Sequence, residues 1–115
     1  MNNELKTGVL SILLADDDKD DRYFFEKALK KISIATKLEM VTDGERLMAH
    51  LVNNPDALPD VIFLDLNMPR KNGSECLVEI KKNDSLKQIP VVLCSTSLGN
   101  DFASILYMDG AHYYL

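Results

Sequence analysis

The sequence has no apolar run long enough to cross a bilayer. The run Val9 to Ala15 is short and contains Ser11. Three aspartates follow it where a secretory leader would carry its cleavage site, so it does not read as a signal peptide. Basic runs are also missing. Lys and Arg total 13 against 18 Asp and Glu, a net charge of -5, which argues against a nucleic-acid surface. Cysteine is scarce, and Cys76 and Cys94 lack the spacing of metal ligands. Cys94 sits in an apolar run and Cys76 in a helical pattern, so both read as reduced core thiols in a reducing compartment. No linker or low-complexity segment interrupts the 115 residues, which suit a single domain with a modest core. Its 46% hydrophobic and 27% charged residues are ordinary for a globular domain. These exclusions leave one cytoplasmic domain without nucleic-acid or membrane partners.

What is present is organised around Val61-Ile62-Phe63-Leu64-Asp65. Four large apolar residues without alternation read as a strand covered on both faces, as in a parallel sheet. Asp65 stands at its carboxyl end. A carboxylate beside a core needs water, a partner or a metal, and that end of the strand is where open α/β sheets bind ligands. Pro69 stops the ladder, and Asn72-Gly73 turns the chain toward a helix. Taken alone, the stretch favours reading Asp65 as an ordinary strand-end or loop carboxylate.

In chain order, residues 1–8 read as a loose polar leader, and Val9 to Ala15 as the first buried strand, followed at once by Asp16, Asp17 and Asp18. Phe24, Phe25, Ala28, Leu29 and Ile32 then recur at helical spacing, with Asp18 as N-cap and Asp20 and Asp21 at the positive end of the helix dipole. Lys37 to Val41 alternates like a half-exposed edge strand. Asp43-Gly44 turns into a second helix with the stripe Leu47, Met48, Leu51 and Val52, leaving His50 on the surface. Cys76, Leu77 and Ile80 mark a third helix. Ile89 to Cys94 is another apolar strand, followed by Ser95-Thr96-Ser97. A fourth helix carries Phe102, Ile105 and Leu106 inward, and His112 to Leu115 begins a last strand.

This alternation predicts an α/β fold: a doubly wound, five-stranded parallel sheet with four helices and right-handed crossovers. A strand order of 2-1-3-4-5, flavodoxin-like, puts the least apolar strand at an edge and strands 1 and 3 together at the switch point. Asp16, Asp17 and Asp65 then converge. Three carboxylates in one crevice repel, and a hard cation such as Mg²⁺ would relieve them. Ser95, leaving the neighbouring strand, adds a hydroxyl donor. A carboxylate nucleophile, a metal and a hydroxyl around one point suit phosphoryl transfer.

At this point the chain resembles the receiver domain of two-component response regulators. The motifs are ILLADDD at 12–18, VIFLDLNMPRKNG at 61–73, IPVVLCSTS at 89–97 and GAHYYL at 110–115, and Ser95 lies 30 residues after Asp65. The resemblance implies a single receiver domain over residues 1–115, with Asp65 as phosphoacceptor and Asp16 and Asp17 as the acidic pair. Asp17 and Asp65 would ligate Mg²⁺ directly, Asp16 largely through water, and the Asn67 backbone carbonyl would join them. Ser95 would contact the phosphoryl group, Tyr114 would be the aromatic switch, and Thr96 stands where the family often has a smaller residue, narrowing access. An acidic pair of Asp17 and Asp18 is disfavoured because it forfeits the helix cap.

A histidine kinase or phosphotransfer protein would supply the phosphoryl group. The face of the fourth helix and fifth strand would meet the downstream partner, and a second copy of the chain is among the partners such a domain can take. The family's lysine would stand just beyond Leu115, and no lysine within the chain takes its place; the fifth helix is absent too. Arg70 and Lys71 read as solvated loop charge. Two other readings stay open: a degenerate receiver that binds partners without phosphorylation, and a Mg²⁺-dependent phosphatase with an aspartyl nucleophile. The second wants an aspartate where this chain has Asn67.

Overall fold

The computed structural model describes residues 8–94 and the backbone of Tyr113–Tyr114. The expected leader up to Thr7, Ser95, Thr96, the fourth helix and the side chain of Tyr114 lie outside the described residues.

Strand β1 (Val9–Ala15) is central. It pairs in parallel with β2 (Ala35–Val41) on one side and with β3 (Val61–Asp65) on the other. Strand β4 (Val91–Cys94) lies beyond β3. The order is β2-β1-β3-β4, and Tyr113–Tyr114 pairs in parallel with Val92–Leu93 as β5. The apolar run of β1 is buried on both faces from Ile12 to Ala15, while those of β3 and β4 are buried on one face and half-buried on the other, and β2 alternates between half-buried and exposed because it is the edge. It begins at Ala35, two residues before the alternating pattern. Pro90 stays outside β4, since it has no amide to give the ladder, but its carbonyl accepts the Ile62 amide at 3.0 Å.

Helices α2 (Gly44–Asn53) and α3 (Gly73–Lys82) cover one face of this sheet. Leu47 and Leu51 of α2 and Cys76, Leu77 and Ile80 of α3 are fully buried there against Leu13, Ala15, Ile62, Leu64, Val91 and Leu93. Burying each such side chain is worth about 1.5–3 kcal/mol relative to leaving it in water. Val52 was expected on the α2 stripe but is exposed. The stripe is narrower than its apolar residues suggested.

Helix α1 (Lys19–Leu29) packs on the opposite face and buries no residue fully. Asp18 caps it as expected, accepting the amides of Asp20 and Asp21. Its stripe is also thinner than predicted. Phe25 and Leu29 are half-buried, Phe24 and Ala28 are exposed, and Ile32 lies beyond the helix end. This gives the doubly wound, flavodoxin-like α/β arrangement, with helices on both faces of a parallel sheet.

Candidate functional site

The register of the sheet brings the acids together. Ala15 of β1 is paired with Leu64 of β3, so the next residue on each strand, Asp16 and Asp65, emerges at the same edge. Carboxylate oxygens of Asp16, Asp17 and Asp65 lie within 4.8 Å of one another. Asp16 is buried, Asp65 half-buried and Asp17 exposed. They line a crevice of about 520 Å³ together with Asn67, Phe25 and Cys94.

Asp16 and Asp65 each have a defined local partner. Asp16 Oδ1 accepts the Asp18 amide at 2.9 Å, and the Asp16 carbonyl accepts Nη1 of Arg22 at 2.9 Å. Asp65 Oδ1 accepts the Asn67 amide at 3.1 Å. These bonds leave most carboxylate lone pairs facing the crevice. Burial pushes the Asp65 carboxyl up to about 6, against the Asn67 amide, which pulls it down; the charges of Asp16 and Asp17 add to the rise. Asp16 is raised as well, chiefly by burial and then by the neighbouring acids. Three hard oxygen donors under mutual repulsion fit a small divalent cation, which would remove the repulsion.

The loop from β3 to α3 is tightly held. Gly73 opens α3 with its amide on the Leu66 carbonyl at 3.1 Å. A Cβ at Gly73 would collide with the Asp65 carbonyl oxygen. Asn72 and Glu75 form a reciprocal capping box. This places Asn67, exposed beside Asp65, on a short loop closed at both ends.

Asp16, Asp17, Asp65 and Asn67 are therefore brought together as expected, and Asp18 serves as the cap. Ser95, Thr96 and the Tyr114 side chain lie outside the described residues. Arg70 and Lys71 are not free loop charges. Arg70 Nε is 3.4 Å from Asp43 Oδ2, and Lys71 Nζ is 2.7 Å from Glu79 Oε2. Sequence reasoning missed two features, the Arg22 tether and the burial of Asp43. Asp43 preceding Gly44 was visible only as a turn signal, and its capping of the helix came from the structure. Both cysteines are free, and burial pushes each thiol up to about 11; Cys76 is the core thiol expected, whereas Cys94 is half-buried on the crevice wall rather than in the core.

The family model for the response regulator receiver domain matches residues 12–115. The chain belongs to that family. The response regulator Rcp1 of Synechocystis sp. is 43% identical to this receiver over 96 residues, covering 78% of this chain and 64% of Rcp1. The chain thus spans less than two thirds of that relative. The structure of the Mn²⁺-bound form of Rcp1 superposes with a TM-score of 0.86 at 38% identity, over 92% of this chain and 79% of that one. That of the phosphorylated cyanobacterial phytochrome response regulator RcpA superposes with a TM-score of 0.86 at 36% identity, over the same 92% and 79%. Receiver domains are signalling modules of phosphorylation-based relays, and they act with histidine kinases and downstream effectors. Among the described residues, no helix of this receiver is long and apolar enough to cross a membrane.

Proposed function

We propose that Asp65 is the phosphoacceptor of this receiver. The observation that carries the reading is the half-buried Asp65 carboxylate at the carboxyl end of β3, within 4.8 Å of the Asp16 and Asp17 oxygens. A carboxylate oxygen of Asp65 attacks the phosphorus of a phosphohistidine on a histidine kinase or phosphotransfer protein. The P–N bond breaks, and the imidazole leaves with its electron pair and takes a proton. Asp17, Asp65 and the Asn67 carbonyl would hold Mg²⁺, and Asp16 would act on it through water. The bound cation would supply neutralisation of phosphoryl oxygen charge. The Mn²⁺ named for Rcp1 and the phosphorylation named for RcpA support this reading.

Ser95, which follows the Cys94 paired with Asp65, takes a phosphoryl oxygen in this reading. Thr96 flanks it, and Tyr114 is the switch that alters the face of the fourth helix and β5 for a downstream partner or a second copy. The full five-stranded receiver fold belongs to the proposal. So do a cytoplasmic location and at most self-catalysed phosphorylation and dephosphorylation. The test is incubation with acetyl phosphate and Mg²⁺, read by intact mass. A lasting single phosphoryl adduct, lost in Asp65→Ala, is expected. Steady turnover without an adduct would mark a phosphatase, and no change a degenerate receiver.

A further inference from the structure

Asp43 is buried although charged, and it serves two separate elements. Its Oδ1 caps α2 through the Arg46 amide at 2.8 Å. Its Oδ2 lies 3.4 Å from Nε of Arg46 and 3.4 Å from Nε of Arg70. Arg46 is a local partner within the same helix. Arg70 is not, since it belongs to the loop that leaves Asp65.

Arg70 has an unusual backbone. Its φ is 69°, and across it the Lys71 amide donates to the Pro69 carbonyl at 2.7 Å. A three-residue turn with positive φ at its centre is the rare hand of γ-turn, and it is strained for a residue carrying a Cβ. Such strain persists only where the surroundings enforce it. Here the enforcement comes from the corner between β2 and α2. Asp43 holds the Arg70 side chain, and the next residue of the corner, Gly44, lies so close to the Lys71 carbonyl that any Cβ there would overlap it. Cys76 Sγ closes the same contact, 3.5 Å from the Gly44 carbonyl.

We infer that Asp43 is a positioning residue for the acidic site: through Arg70 it fixes the β3–α3 loop and, with it, the Asn67 backbone. Only Met68 and Pro69 separate Arg70 from Asn67. Met68 is anchored in the core, and the Pro69 ring fixes its φ. The Asn67 amide is already bonded to Asp65. A shift at Arg70 is therefore passed to Asn67 rather than absorbed between them. The inference rests on the reading of Asn67 as a contributor to a Mg²⁺ site.

Two variants of the full chain test it. Asp43→Asn keeps an oxygen for the Arg46 amide and removes the charge. Arg70→Gly removes the pair and relieves the strained φ. Mg²⁺ affinity is read by calorimetry, and exchange of the Asn67 amide is read without metal, with thermal melting as control. Each variant is expected to lose about tenfold in Mg²⁺ affinity, as when outer-shell partners of metal sites are removed. The double variant should lose no more than either single one. Asn67 exchange should quicken in both single variants, while Arg70→Gly melts no lower than the parent. Parental affinity in both single variants, or additive losses in the double, overturns the inference. Asp17→Asn runs alongside. If it loses Mg²⁺ while the other two keep it, the Asp43–Arg70 link alone is wrong. If it also binds Mg²⁺ as the parent does, the metal-site reading fails and takes the inference with it.

Discussion

Phe25 of α1 and Phe63 of β3 meet edge to face, their ring centroids 4.9 Å apart at an interplanar angle of 65°. With the Arg22 bond to the Asp16 carbonyl, this contact seats α1 on the sheet, because no α1 residue is fully buried. The neighbouring Phe24 is 64% exposed. Adjacent phenylalanines on one helix thus have different energetic weight. Phe25→Ala should destabilise the domain by about 2 kcal/mol, below the usual loss for a fully buried ring. Phe24→Ala should stay within about 0.5 kcal/mol of the parent. Urea unfolding of both variants checks the difference; equal losses would mean that α1 is seated in some other way.

The glycines at the two helix starts should be intolerant of even one carbon. A Cβ at Gly44 would overlap the Lys71 carbonyl, and one at Gly73 the Asp65 carbonyl. The obstacle in both cases is backbone, which cannot rotate aside. Gly44→Ala and Gly73→Ala are each expected to destabilise by about 1–3 kcal/mol, the range of forced overpacking. Gly73→Ala should also slow phosphorylation by acetyl phosphate, since the carbonyl it displaces belongs to Asp65. Thermal melting and adduct formation followed by intact mass distinguish the two effects.

The sheet and its acids were legible because they depend on local patterns. Unalternated runs at Ile12–Ala15 and Val61–Leu64 mark central strands, and an aspartate after each run marks the same edge of the sheet. The Asp18 cap and the Leu47, Leu51, Leu77 and Ile80 stripe follow from helical spacing in the same way. Depth of burial was not legible. Phe24, Phe25 and Val52 look equivalent as apolar residues, and only the placement of each helix separates them. The pairing of Asp43 with Arg70 was also hidden. It joins two loops distant in sequence, and it depends on a positive φ that an arginine does not advertise.

The acidic crevice should make the metal-free protein lose stability as pH rises. Asp65 has its carboxyl raised to about 6 in the folded state, above the unfolded carboxylate value near 3.9. Between those values the folded state holds more protons than the unfolded state. Stability therefore falls as pH climbs through that window and levels off above it. Asp16, raised in the same direction, adds to the slope. After discounting for solvent screening of a half-exposed site, the fall is about 1–2 kcal/mol. Urea titrations at a series of pH values in chelator should show this slope, and Asp65→Asn should flatten most of it. A parental slope in that variant would assign the titration elsewhere.

Asp17 should change sign with the metal. It is the exposed member of the acid cluster, and its charge pushes up both Asp65 and Asp16. In chelator at neutral pH, Asp17→Asn removes repulsion without emptying a packed site, so its melting temperature should rise by a few degrees at most. With Mg²⁺ the balance reverses. A cation that binds only the folded state stabilises it by about 2.7 kcal/mol at a hundred times its Kd, and the variant has lost one of the three carboxylates that could hold it. The parent should then melt above the variant, with the curves crossing as Mg²⁺ is titrated in. A variant that melts below the parent in chelator would show that Asp17 is held by hydrogen bonds rather than frustrated. Parallel Mg²⁺ responses in the two proteins would place the cation away from Asp17.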